Sequence, residues 1–338
     1  MYIDVILAID QLDDVAATAQ AAEATGFDAL WTSETAHDPF LPLALAAEHT
    51  QRIQLGTAIA VAFARSPMTV AYTAWDLQAL SGGRFVLGLG TQVKAHIERR
   101  FGMMWAAPAP RLREYIQALR AIWDCWQNST RLNFRGEFYK LTLMTDFFNP
   151  GPIEHPHIPI FIAGVNRYLC QLAGELCDGF HVHPFHSARY LQEFILPNIE
   201  TGLRRAGRTR SDIQLASSIF VITGQDETEV IATRAAVRRQ IAFYASTPSY
   251  RPVLETHGWG DVGEQLSRLA ARKRWSEMPA LITDEMLDVF AVSGSLEEIP
   301  ARIQNRYDGL LDRISYYRPF RPGRDLFDWQ ATVAAFQG

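Results

Sequence analysis

The sequence predicts an α/β fold: a single (β/α)8 TIM barrel with loop insertions. Three observations carry this reading. Strand-like apolar runs and helical runs alternate almost from the first residue, which points to a parallel sheet. The strands so identified number eight, which favours closure into a barrel. No composition shift or Gly/Ser linker divides the 338 residues, so one domain spanning 1–338 is expected.

The first strand is Tyr2–Ile9, and Asp10 caps a helix that runs to Thr25 and stops at Gly26. Phe27–Trp31 is the second strand, and Asp38-Pro39 opens a helix ending near Thr50. Ile53–Val61 is the third strand. Ser66-Pro67 starts a helix that ends at Ser81-Gly82-Gly83, and Phe85–Leu89 is the fourth strand. A helical stretch follows, clearest over Arg111–Trp126. Residues 128–159 are rich in aromatics, Pro and Gly and read as an insertion of loops with a hairpin. Alternation resumes with strand Ile160–Ala163, helix Asn166–Leu176, strand Phe180–His183 and helix Ala188–Ala206. Ile213–Ile222 is the seventh strand, and Asp226–Tyr244 a helix with Glu229 completing its capping pattern. A second irregular stretch runs from Ala245 to about Pro279, within an insertion placed near 245–285. A capping box at Ser295–Glu298 then opens a helix to Tyr307, Asp312–Tyr317 is the eighth strand, and the tail from Asp325 is a closing helix.

A charged fraction of 20% and a hydrophobic fraction of 48% describe an ordinary globular chain. The net charge of -5 gives no basic footprint for nucleic acid. The first residues lack the basic region and cleavage site of a signal peptide, and no apolar run reaches the length of a membrane span. Cys125, Cys170 and Cys177 form neither a CxxC pair nor an even framework. A cytoplasmic, reduced protein without a membrane or nucleic-acid partner is expected.

Ser81–Gly90 (SGGRFVLGLG) is the most informative run. Glycine weakens a strand, so Gly88 and Gly90 at a strand end signal that another backbone or a ligand approaches closely. In α/β proteins that end of the strand is the ligand-binding face. Gly88-Leu89-Gly90 begins like a dinucleotide fingerprint, but Lys94 stands where its last glycine belongs, and a Rossmann unit would lead the chain. P-loop, HEXXH, GxSxG and paired-cysteine zinc motifs are absent from the sequence. Such a barrel suits an enzyme that takes its chemistry from a bound cofactor.

Several segments carry a resemblance over essentially the whole length. They are Gly26–Glu34, Leu55–Ile59 with Arg65-Ser66-Pro67, Gly83–Gly90, and Cys177-Asp178-Gly179-Phe180. In order and spacing the chain resembles the luciferase-like flavin and deazaflavin oxidoreductases. His96–Gly102, Phe243–Tyr250 and His257-Gly258-Trp259 resemble the branch that uses coenzyme F420. The resemblance implies a deazaflavin or flavin ring held at the carboxyl ends of the strands, and a non-proline cis peptide at Ala58–Ile59. It places the ring against Thr35, Thr57, Ala58, Ile59, Gly90, Thr91, Gln92 and His183. The cofactor phosphate falls at Ala163, Gly164, Val165 and Asn166, where helix N-terminal amides suit an anion. It also implies a homodimer through the early helices. The sugar-phosphate dehydrogenase branch has an acid and a histidine after the second strand and a glutamate after the fourth. Here Glu34 keeps the acid, but Thr35 and Val93 replace the other two.

Proton exchange must then come from other side chains. His37 follows the second strand and His96 the fourth, and they are the candidate catalytic residues, with Glu34 beside them as an orienting or ring-contacting acid. His181 and His183 flank Val182 and point to one side of their strand; they have the spacing of a metal pair, but no third ligand is indicated, so no metal is assigned. Phe63, Trp105, Phe134, Phe138, Phe147, Phe148 and Trp259 are candidate walls of a pocket for a small organic substrate. Together these readings imply F420-dependent hydride transfer. The alternatives are an FMN-dependent monooxygenase and a barrel that binds the cofactor without turnover.

Overall fold

The strand signals resolve into eight parallel strands in a computed structural model that describes residues 1–8, 11–323 and 328–337. They are β1 (Tyr2–Leu7), β2 (Ala29–Thr32), β3 (Gln54–Thr57), β4 (Phe85–Gly90), β5 (Ile160–Gly164), β6 (Gly179–Val182), β7 (Gln214–Ile222) and β8 (Arg313–Phe320). The order β7-β8-β1-β2-β3-β4-β5-β6 closes through β6 pairing with β7, so these eight strands form a (β/α)8 barrel. Asp10, expected as a cap, and the start of the tail at Asp325 lie outside the described residues.

The predicted caps set the helices around the barrel. α1 (Val15–Thr25) stops at Gly26, whose φ of 96° places it in the left-handed region. α2 spans Leu41–His49, and Asp38 Oδ1 accepts from the Phe40 and Leu41 amides ahead of it. α3 (Pro67–Leu80) is capped by the Ser66 hydroxyl, which accepts from the Thr69 amide. α4 covers Pro108–Asn128, α5 Arg167–Leu176 with Asn166 capping Leu169, α6 Leu196–Arg205, and α7 Glu227–Ala245 capped by Asp226. Leu191–Ile195, just before α6, winds as one wide turn that leads into Pro197, which has no amide to donate. α8 is Ile299–Tyr307, entered through the reciprocal Ser295–Glu298 capping box.

Two expectations are corrected. The stretch Ala245–Pro279 is helical rather than irregular: Arg251–Glu255, Gly260–Ala271 and Asp284–Phe290 are α-helices, with shorter 3-10 turns at Pro248–Tyr250 and Trp275–Leu281. Pro248, Pro252 and Gly260 lie in the first turns of these segments, while Gly263 and Pro279 lie inside them. A short strand, Ala291–Ser293, unrecognised in the sequence, pairs with the far end of β7. The 128–159 insertion does contain its hairpin, Phe134–Arg135 against Lys140–Leu141.

Inside the barrel, alternate residues of each strand stack in layers. Ala29, Trp31, Val86, Phe161 and Ala216 form the middle, with Ala58 against them. Beneath, Asp4 accepts from Arg313 at 2.7 and 2.8 Å and from Trp31 Nε1 at 2.9 Å, and joins β1, β2 and β8. The other, larger core lies between strands and helices.

Candidate functional site

At the carboxyl end of β3 the strand breaks at the Ala58–Ile59 bond, which is cis, and resumes at Ala60–Val61. The end of β2 takes up the polar groups this break frees. The Ala58 amide donates to Thr32 O (2.6 Å), and Ala58 O accepts from Ser33 Oγ (3.1 Å). Ile59 O accepts from the Glu34 amide (3.2 Å), and the Val61 amide donates to Glu34 Oε2 (2.6 Å). Arg65 Nη1 closes on the same Glu34 oxygen at 2.7 Å, while Nη2 reaches Asp38 at 3.0 Å. Glu34 is buried, and its carboxylate holds backbone in place.

β4 has two glycines because β3 leans on it. A Cβ at Gly88 would sit 1.7 Å from Thr57 O, and one at Gly90 2.6 Å from Ile59 Cδ1. The approach anticipated from the glycine run is therefore first a backbone one, made by β3. Thr57 fixes it: its hydroxyl donates to Gly88 O (2.7 Å) and accepts from the Gly88 amide (2.9 Å). Thr57 is thus fully buried, below the rim, while Thr91 and Gln92 are half-buried on it, Gln92 with a φ of 57°. Thr35 is exposed, and its carbonyl accepts from Arg100 Nη2 at 2.6 Å.

Across the mouth, β5 ends at Ala163 and Gly164, and Val165-Asn166 lead into α5. Asn166 Oδ1 takes the Leu169 amide at 3.0 Å, which leaves the first-turn amides of Arg167 and Tyr168 without helical partners. The Arg167 guanidinium stands over the Tyr168 ring, 4.7 Å from its centroid, and the pair is exposed. Gly164 serves packing, because a Cβ there would lie 2.5 Å from Leu169 Cβ. Arg167 was not singled out in the sequence; its adjacency to a predicted helix start was the available signal.

The histidines divide sharply. His37 and His96 are exposed, on the β2–α2 loop and on the short helix Lys94–Arg99. His181 and His183 both face into the barrel from β6. Burial holds the His181 pKa down at about 3, with Arg313 adding to it, and its ring meets Trp31 edge-on at 4.9 Å. Burial and then His186 hold His183 at about 3. The Phe185 amide donates to His183 Nδ1 (3.1 Å), which leaves the proton of the neutral ring on Nε2. His183 stacks on Tyr250 at 4.2 Å and meets the edge of Tyr244 at 4.5 Å. The Tyr244 hydroxyl in turn contacts that of Tyr317, at the top of β8. Ser187 Oγ lies 2.8 Å from His257 Nε2, and His257 stacks on Trp259 at 4.9 Å. The helical insertion is thereby pinned over the β6 side of the mouth.

The aromatic wall is not the one expected. Phe147 and Phe148 are exposed at 88% and 59%, on a turn of the first insertion, with their rings edge-to-face at 5.0 Å. Phe63 and Trp105 do meet, at 6.0 Å, with Arg111 over Phe63. The wall on the opposite side comes from Tyr244, Tyr250 and Tyr317. Among the described residues no group of three or more His, Cys, Asp or Glu could hold a metal ion, and no helix is long and apolar enough to cross a membrane.

Comparison with known proteins agrees with this architecture. An uncharacterised protein of Mycobacterium tuberculosis is 51% identical over 305 residues, 90% of each chain. A second protein of that organism, provisionally named a coenzyme F420-dependent oxidoreductase, is 30% identical over 297 residues, covering 82% of this chain and 83% of the other. The solved structure of the coenzyme F420-dependent tetrahydromethanopterin reductase of Methanopyrus kandleri superposes with a TM-score of 0.77 at 21% identity, covering 99% and 96% of the two chains. The model of the luciferase-like monooxygenase family matches residues 4–313. The chain is a member of the luciferase-like monooxygenase family.

Proposed function

We propose that the chain is an F420-dependent oxidoreductase that transfers hydride between the deazaflavin coenzyme and a small organic substrate. One observation carries the reading. The Ala58–Val61 segment is fixed by Thr32, Ser33 and Glu34 at the barrel mouth, a backbone shelf preformed for a flat ring, in a chain 30% identical to an F420-named relative. The residues present fit that coenzyme. Ala58, Ile59, Gly90, Thr91 and Gln92 would lie along the ring, with Thr57 setting the shelf from below, Thr35 at its edge and His183 facing it. The anionic tail would meet Ala163-Gly164-Val165-Asn166, where the free amides of α5 and Arg167 offer positive charge.

When bound, reduced deazaflavin supplies a hydride. The chain orients the reactants, excludes water and moves a proton. Glu34 positions the shelf. His37 and His96, exposed at the rim with no ring contact holding them, belong to the entrance rather than to proton exchange. A cytoplasmic homodimer formed through the early helices completes the proposal; sedimentation velocity tests its stoichiometry.

The deciding experiment titrates the apoprotein separately with oxidised F420 and with FMN and follows quenching of cofactor fluorescence. Tight F420 binding is expected. Tight FMN binding without F420 binding would establish the monooxygenase alternative instead.

A further inference from the structure

We propose that the Tyr244–Tyr317 hydroxyl pair is the proton-exchanging group of this enzyme, serving a carbonyl or imine acceptor; the proposal rests on the F420 reading above. On β8, Arg313, Ser315 and Tyr317 alternate with Ile314 and Tyr316, so Tyr317 stands in the interior row, two layers above the Arg313–Asp4 pair. The layer between is fixed by Ser315 Oγ and Ser218 Oγ at 2.7 Å. Tyr317 thus reaches the mouth on a rigid strand. Tyr244 arrives from the end of α7, bridging the Tyr317 hydroxyl and the edge of the His183 ring. Phe220 of β7 packs against Tyr317 at 4.6 Å and leaves the phenol end as its polar part. The pair lies on the β6–β8 side of the mouth, opposite the β3–β4 shelf, so a substrate held between ring and pair would be met from both sides.

Two further observations suit proton exchange. β7 pairs with β8 through Ile219 and Tyr316, then parts from it to pair with Ala291–Ser293. A cavity of about 240 Å³ lies where the strands separate, between them and α7, lined by Phe220, Thr223 and Tyr317 and by Thr233, Val237 and Gln240 of the helix. Burial, and then the Tyr244 hydroxyl, raise the Tyr317 pKa, so the phenol remains protonated at neutral pH. Each hydroxyl can donate to the other, so the oxygen that loses its proton keeps a hydrogen-bond donor.

In the reductive direction, hydride from the reduced deazaflavin forms a C–H bond at the acceptor carbon as the C=O or C=N π bond breaks. The heteroatom takes a proton from one phenol, breaking its O–H bond. The acceptor gains two electrons, and the deazaflavin is oxidised. The phenolate, stabilised by its neighbour, regains its proton from water.

The test uses Tyr244→Phe and Tyr317→Phe in the full chain. Reduced F420 is mixed with a panel of uncharged aldehydes, ketones, imines and enones, and cofactor oxidation is followed in single turnover. We expect the wild-type chain to reduce a panel member. At least one variant should be slower by about 10²–10⁴-fold, with F420 affinity within about threefold of wild type. Independently of activity, NMR of the chain labelled at tyrosine Cζ should show, at neutral pH, a Tyr317 resonance that shifts in Tyr244→Phe and a Tyr244 resonance that shifts in Tyr317→Phe, as two phenols in hydrogen-bond contact require. Wild-type rates in both variants, or a Tyr317 resonance unmoved by Tyr244→Phe, overturn the assignment. F420 binding without reduction of any panel member also overturns it, while leaving the cofactor reading intact. Failure to bind F420 at all overturns the cofactor reading itself.

Discussion

A carboxylate oxygen that accepts both a backbone amide and a guanidinium has its two lone pairs committed, and Glu34 Oε2 is in that position. Its removal should therefore damage structure and binding before chemistry. Glu34→Ala leaves the Val61 amide unsatisfied and Arg65 without its buried partner; a cost of about 2–3 kcal/mol is expected. Glu34→Gln keeps an acceptor for the amide and should lose roughly half of that. Urea unfolding midpoints at unchanged slope, together with F420 titration, check both. If Glu34→Gln left midpoint and affinity untouched and only the rate fell, Glu34 would be a proton donor instead. The sequence placed this acid at the site as an orienting or ring-contacting group but did not show what it orients, because spacing along a strand end does not reveal which groups the side chain must satisfy. His37 and His96 show the same gap. Their positions after β2 and β4 were legible, but exposure was not, since loop course decides it. Tyr317 was hidden for the opposite reason: within Asp312–Tyr317 it reads as ordinary strand apolarity, and only barrel closure sets it beside Tyr244, 73 residues away.

Among the elements, those with local caps were readable and those defined by distant partners were not. Ser66, Asn166 and Asp226 each cap the helix they were expected to open. The 245–285 segment misled because Pro and Gly mark both loops and helix starts. Pro248 and Pro252 each lie in the first turn of a helix, where a missing amide costs nothing, and Gly263 is needed because a Cβ there would approach Leu254 Cδ1 to 2.9 Å. α5 allows a prediction at this scale, since its cap and its charge are separable. Asn166→Ala should cost about 1 kcal/mol of stability. Arg167→Ala should leave stability unchanged, because that side chain is exposed, yet weaken F420 binding about tenfold at low salt, on the order of 1.4 kcal/mol. Titration with the same deazaflavin lacking its phosphate provides the control. Equal weakening for both ligands would remove the anion site from α5.

At the scale of the molecule, closure concentrates polarity inside the barrel. Asp4 and Arg313, 309 residues apart, meet beneath the middle layer and tie the first strand to the last. Above them His181 and His183 are enclosed, while His186 is buried outside the barrel wall against Tyr307 of α8; burial favours the neutral form of each, at about 3, 3 and 4. An unfolded chain binds protons at these rings near pH 6.5, whereas the folded barrel does not until far lower pH. Their contribution to stability is therefore complete above pH 6.5 and declines as the pH falls from there toward 4. By pH 5 the loss should be on the order of 1–2 kcal/mol for each ring. Urea midpoints measured from pH 5 to 8 should rise with pH up to about 7 and then level off, and His186→Gln should flatten the slope by about a third. A flat profile would mean that these rings already carry protons in the fold, which their apolar enclosure by Trp31, Phe161 and Tyr307 opposes. The layer that carries this acid sensitivity lies directly beneath the mouth, and His183 belongs to both. Acid should therefore loosen the β6 side of the site before it unfolds the outer helices, and F420 affinity should fall at a higher pH than the loss of helical circular dichroism.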